Sequence, residues 1–415
     1  MTSRYFLARR PRSIVSLGMS FRKTLIRSRS ATIPRLTILL RVPLRAMRGS
    51  FVAAMLAVVA ASCGDDSSPI LIGLAGPVKE PRGVSMELGA RLAIDEINRN
   101  GGVRGRRLEL VVRDDGGENQ RAIAVAQELR DMPGIIAVIG HLNSGATLVA
   151  GKVYNTGENP VVSISPSASS PEVTGIGPWA YRVCPTDHEH GVALARYAAG
   201  ALGARRVAAI YLNDPYGRGV FDAFRTEFLR TEAAVVTPYA VLRGVDVDVL
   251  VEHLQTLSGA QAVVLATDRA TAVPILSALR ARGVTLPVLG GDGLAGIEAE
   301  GAIAEGLFVS ASYLSLRPGA KNAAFVTSYA AANDGAVPDH RGAGAYDIVY
   351  LLAQVMGEHG TDRDAVRRAL DKVDTAAPFT GVTGRLAFDE NGDVIDKDVL
   401  LGVVRSGRIQ YAERQ

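Results

Sequence analysis

The chain has 415 residues, of which 47% are hydrophobic and 21% charged, a balance that fits two globular domains with a sizeable core. The net charge of +4 is misleading: residues 1–62 carry 12 of the 46 Lys and Arg and none of the 42 Asp and Glu. The remaining 353 residues hold 34 cations and 42 anions, a net of −8, which argues against nucleic acid as a partner because phosphate binding requires clustered cations.

Taken in chain order, residues 1–46 are Arg-rich and read as no packed domain, and Met47 is a candidate for the true start. Phe51–Ala61 (FVAAMLAVVAA) is an apolar run of 11 residues, too short for a bilayer span of about 20 and suited to the apolar segment of a signal peptide. Cys63 follows Ala60, Ala61 and Ser62, which resembles the lipobox of bacterial lipoproteins. On that resemblance Cys63 is lipidated, residues 1–62 form the leader, and the polar residues after it, to Ser68, form a tether. The one other cysteine, Cys184, has no partner for a disulfide and no metal-binding spacing around it.

From residue 70 apolar runs alternate with amphipathic stretches. Strands are expected at Ile70–Ala75, Leu108–Val112, Ile135–Gly140 and Pro160–Ser165, with helices at Ser85–Asn98, Gln120–Arg130 and Gly145–Asn155 between them. A second set of strands follows at Val207–Leu212, Val235–Leu242, Ala262–Ala266, Val288–Gly290 and Leu307–Ala311. Helices come next at Lys321–Asn333, Ala343–Gly357 and Arg363–Val373. A hairpin closes the chain, Gly384–Phe388 and Val399–Val404 around the turn Asp389-Glu390-Asn391-Gly392. Continuous apolar strands alternating with helices imply an α/β protein of parallel sheets covered on both faces, here as two lobes. Ligands of such sheets bind beyond the carboxyl ends of the strands, so two facing lobes would share a cleft.

The segments GARLAIDEINRNGGVRGRRLELVVRDD (89–115), VIGHLNSGAT (138–147), SISPSASSPEV (163–173), YLNDPYGRGV (211–220), VLGGDGLAG (288–296), EGLFVSAS (305–312) and FTGVTGRLAFDENGDV (379–394) resemble, in order and spacing, the branched-chain amino-acid-binding proteins of ATP-binding-cassette importers. The resemblance runs from about residue 69 to the end. It implies the type I periplasmic-binding-protein fold, two doubly wound lobes joined by three crossovers, with 69–187 plus 313–375 in lobe one and 188–312 plus 376–415 in lobe two. It further implies a monomeric, extracytoplasmic receptor that closes on an amino-acid-like solute and delivers it to a permease. The membrane would be met through the lipid anchor alone. A sensory module of the same fold is the alternative; no catalytic constellation points to an enzyme, and no cofactor or metal is expected.

The candidate ligand residues follow from the same blocks. Ser144 enters the helix at 145–155, where free N–H groups and a partial positive charge suit a carboxylate; by pattern alone it is equally a helix cap. Ser167 and Ser169 follow a strand, at its carboxyl edge, and otherwise read as a Ser/Pro turn. Asp292, in GGDG, matches a family acid that pairs with the ligand ammonium, and Tyr216 matches a tyrosine that covers the ligand. Two positions depart from the leucine-binding pattern. After the first strand stands KEPRG (79–83), with Pro81 or Arg82 in the place of an aromatic residue, and after Ala262–Ala266 stand Thr267 and Asp268. A carboxylate does not suit an apolar pocket, so Asp268 either meets a basic or hydroxylated ligand group or pairs with Arg269 or Lys79.

Overall fold

A computed structural model describes residues 68–256 and 259–412. Cys63, the leader and most of the tether lie outside the described residues. The first sheet begins with β1 (Ile70–Gly76). It leads into α1 (Pro81–Arg99), which has proline in its first turn, where a missing N–H costs nothing. Gly101 and Gly102, at φ +96° and +75°, release the chain from α1 in a conformation that glycine adopts most readily. β2 (Leu108–Asp114), α2 (Asn119–Asp131), β3 (Ile135–Gly140), α3 (Ser144–Tyr154), β4 (Val162–Ser165) and β5 (Ala180–Arg182) complete the unit. All pairings are parallel, in the order β2-β1-β3-β4-β5.

The second sheet is built from α4 (Asp187–Gly200), β6 (Arg206–Leu212), α5 (Pro215–Phe228), β7 (Val235–Val241), α6 (Val247–Thr256), β8 (Ala262–Ala266), α7 (Arg269–Ala281), β9 (Val288–Gly290) and β10 (Phe308–Ala311). Its parallel part runs β7-β6-β8-β9-β10, the same winding as the first. The chain then returns to the first lobe as α8 (Ala320–Ala332), α9 (His340–His359) and α10 (Arg363–Leu370). The short pair β11 (Phe379–Gly381) and β12 (Gly384–Leu386) follows there. It crosses a third time to add β13 (Leu400–Arg405) and β14 (Arg408–Tyr411) antiparallel at the edge of β10.

Strand alternation sorts each sheet's side chains onto two faces. Along β1, Ile70, Ile72 and Leu74 enter the core beneath α1 and α9, while Leu71 and Ala75 join Leu129, Val138 and Tyr154 on the other side. Along β6, Ile210 and Leu212 face one core and Val207 and Ala209 the other. Each sheet is therefore buried on both faces, as its apolar strands require.

Two expectations change. The closing hairpin does not form as read: the turn exists, with Asp389 Oδ1 accepting the N–H groups of Asn391 and Asp393, and its flanks join only at the Phe388–Val394 bridge before they part. β12 pairs with β11 and β13 with β10, because Phe379, Val382, Leu386, Phe388 and Val394 bury in the first lobe's core while Val404 buries in the second. For the same reason residues 379–394 belong with the first lobe, and the last crossing falls after Val394 rather than at residue 376. The remaining sequence-read strands stand within two residues of their observed bounds. Among the described residues no helix is long and apolar enough to cross a membrane.

Candidate ligand-binding cleft

In each sheet the winding reverses direction once, between β1 and β3 in the first and between β6 and β8 in the second. The loops beyond the strand ends at such a reversal splay apart and leave a crevice. The residues that follow β1, β3, β6 and β8 line one cavity between the lobes: Arg82, Ser144, Tyr216 and Asp268, one from each. An inner chamber of about 70 Å³ shares Arg82, Arg243, Asp268, Gly293 and Arg341 with an outer one of about 550 Å³.

One wall is the start of α3. Asn143 precedes the helix without a side-chain cap bond, so the first-turn N–H groups are not taken by the cap. Ser144 is buried, and its Oγ accepts the Ser170 N–H at 3.2 Å. Ser167 lines the same wall and donates to the Leu142 carbonyl at 3.0 Å. Ser169 does not line the cavity. It is fully buried with an unpartnered hydroxyl, next to Asp187, whose N–H its carbonyl accepts at 2.7 Å.

The facing wall carries Asp292, 2% exposed, held at the end of β9. Its Oδ2 stands 3.7 Å from Nε2 of both His190 and His340, and its Oδ1 has no partner. Burial works to raise the carboxyl, but His190, His340 and Arg341 outweigh it and hold Asp292 below the usual carboxylate range. Burial, with Arg341, drives His340 down to about 4, so near neutrality this imidazole carries no charge. Tyr216 closes the chamber beside it; its hydroxyl accepts the Gly293 N–H at 2.9 Å, and burial raises it well above the usual phenol value.

Asp268 pairs with neither candidate named from the sequence. Lys79 binds Asp114 at 3.1 Å and Arg269 binds Glu300 at 2.8 Å. Asp268 instead caps α7, accepting the Thr271 N–H at 2.9 Å, and meets Arg243. Arg243 and Arg341 carried no sequence signal, since one sits in the loop after β7 and the other in the first turn of α9, far from every motif. His141, beside the cleft, is buried and binds Asp115 at 2.5 Å and Tyr154 at 3.1 Å. Cys184 is buried, and its thiol is pushed far up by burial, so it offers no nucleophile.

Two lobes wound alike, crossed three times, with donors and an acid facing each other at their shared edge, describe a solute-binding cleft. Residues 69–408 match the family model described as periplasmic binding protein. The chain belongs to that family. A protein of Brucella suis biovar 1 named Leu/Ile/Val-binding protein homolog 1 is 29% identical over 357 residues, covering 83% of this chain and 92% of that one. A Pseudomonas aeruginosa amino acid binding protein is 34% identical over 230 residues, 54% of this chain and 61% of that one. Among solved structures, an ABC transporter substrate-binding protein from Desulfitobacterium hafniense in complex with Leu is 30% identical, with a TM-score of 0.71 over 83% of this chain and all of that one. The branched-chain amino acid substrate-binding protein LivJ of Streptococcus pneumoniae, with isoleucine, has 26% identity and a TM-score of 0.75, covering 83% and 99%. These likenesses bear out the type I fold and the solute-binding, extracytoplasmic class.

Proposed function

We propose that this periplasmic binding protein captures an α-amino acid in the cleft, closes on it and delivers it to an ABC permease, while held at the membrane by a lipid on Cys63. The observation that carries this reading is the pairing, across one chamber, of a helix N-terminus bearing Ser144 with the partly unpartnered carboxylate of Asp292. The first suits the α-carboxylate and the second the α-ammonium. Ser167 borders the carboxylate end, while Ser169, buried beside Asp187 and outside the chamber lining, takes no part in holding the ligand. Tyr216 covers the ligand from the second lobe. Asp268 acts through Arg243 rather than by touching the ligand's own cation.

The test is a melting experiment on the full chain with each of the L-amino acids in turn. A ligand that binds the folded state alone at a hundred times its Kd adds about 2.7 kcal/mol, and a rise of a few degrees follows for at least one amino acid. A flat response to every amino acid would overturn amino-acid capture. For the anchor, Cys63→Ala should move the protein from the membrane fraction to the soluble one; retention on the membrane would remove the lipid from the account.

A further inference from the structure

Arg82 and Arg341 reach the cleft from the first lobe, from the starts of α1 and α9, and Arg243 reaches it from the second; all three border both chambers. Leu142 and Leu212 are the aliphatic side chains of the inner chamber, too few to wrap a branched hydrocarbon there, while Pro81, Val273 and Pro274 stand in the outer one. A side chain of that kind would strip water from the guanidiniums and return no hydrogen bond. The guanidiniums still have donors to give. Arg82 binds Glu80 at 2.7 Å, yet its Nε is buried without a partner. Arg341 binds Asp339 at 2.9 Å, and its other terminal nitrogen reaches the Asp292 carbonyl only at 3.5 Å. Arg243 uses its two terminal nitrogens on Asp268 and on Asp214, at 3.3 Å, leaving Nε. Burial lowers the affinity of Arg82 for its proton; Glu80 beside it works the other way, and the like charges of Arg341 and Arg243 add to the lowering. Asp214, Asp268 and Asp292 line the same chamber as the three arginines; with Asp292 facing the ammonium, a planar anion set among Arg82, Arg243 and Arg341 would take up the donors they leave in shared charge-assisted hydrogen bonds.

We infer that the ligand carries a second anionic group, a carboxylate at the far end from its α-carboxylate, and that Arg82, Arg243 and Arg341 are the residues that select it. The inference rests on amino-acid capture in this cleft and names the class of amino acid: acidic side chains are preferred over branched apolar ones.

The experiment is titration calorimetry of the full chain with L-glutamate, L-aspartate, their neutral isosteres L-glutamine and L-asparagine, L-leucine, and glutarate. The expected result is that one acidic amino acid binds at least about tenfold tighter than its own amide, because each charge-assisted bond adds one power of ten or more. That ratio should narrow as salt rises. Arg82→Gln and Arg243→Gln should each bring the acid-to-amide ratio toward one, while Arg82→Lys keeps most of it; an unchanged far-UV spectrum and melting temperature of each unliganded variant separates lost selectivity from lost fold. A wild-type protein that binds leucine or the amides as tightly as the acids overturns the inference and leaves amino-acid capture standing. Binding of glutarate alone overturns the ammonium role of Asp292 but supports the arginine set. No binding by any of the six overturns the inference, and amino-acid capture falls with it only if the melting experiment is also flat for every L-amino acid.

Discussion

At Ser144 and Asp292 a single atom separates a structural residue from a binding one. Replacing Ser144 with Ala removes the proposed ligand donor and also orphans the Ser170 N–H. Calorimetry should therefore show binding weakened by about 1–3 kcal/mol, with a smaller loss of melting temperature. Asp292→Asn should weaken binding by a similar amount while leaving the fold in place; unchanged affinity in both variants would remove the two residues from the site. His340 makes a pH prediction. Its folded-state value of about 4 lies below its ordinary 6.5, so between those values the unfolded chain binds more protons than the folded one. Stability is then fully present above pH 6.5 and falls as pH drops toward 4, by at most about 1.4 kcal/mol per pH unit from this group. Acid unfolding curves of His340→Gln should be flatter over that window; an equally steep fall would show that His340 is not the group responsible.

Among the elements, α1 and α9 set how closely the first lobe can pack. They cross at Gly89 and Gly342, and a Cβ on Gly89 would lie 2.0 Å from the Gly342 carbonyl oxygen. No rotamer relieves a clash with backbone, so the helices must separate. Gly89→Ala should cost about 1–3 kcal/mol, visible in a melting curve, and because α9 carries His340 and Arg341 it should weaken ligand binding as well. An unshifted melting temperature would mean that the crossing is looser than it stands here. The start of α3 works the other way: it is an element whose value lies in what its end leaves unsatisfied.

For the whole molecule, function resides in the relation between lobes. Glu172 of the first and Arg218 of the second meet at 3.1 Å between the lobes, outside the two chambers, both nearly half exposed. An exposed pair of this kind contributes at most about 1 kcal/mol, so Glu172→Ala should raise Kd less than about fivefold. A larger effect would mark the pair as a latch. Ligand that binds both lobes shifts an open–closed equilibrium toward the closed state, and small-angle scattering should record a smaller radius of gyration when a binding amino acid is added. An identical profile with and without it would argue against closure.

The sequence by itself determined the two α/β lobes, since apolar runs and helical periodicity are local properties, and most strand ends were legible to within two residues. It also placed Ser167, Ser169 and Asp292 just past strands and Ser144 at a helix start, where such sheets bind ligands, while Tyr216 was named only through the family resemblance. Which strands pair after residue 376 was decided by the tertiary structure alone, because the turn at Asp389–Gly392 is the same whether its flanks join each other or separate sheets. So was the partner of Asp268: Arg243 is 25 residues away, and nothing local distinguishes it from the adjacent Arg269. The arginine triad, too, exists only once three distant segments converge, because charge in a cleft is a property of the space between elements rather than of any one of them.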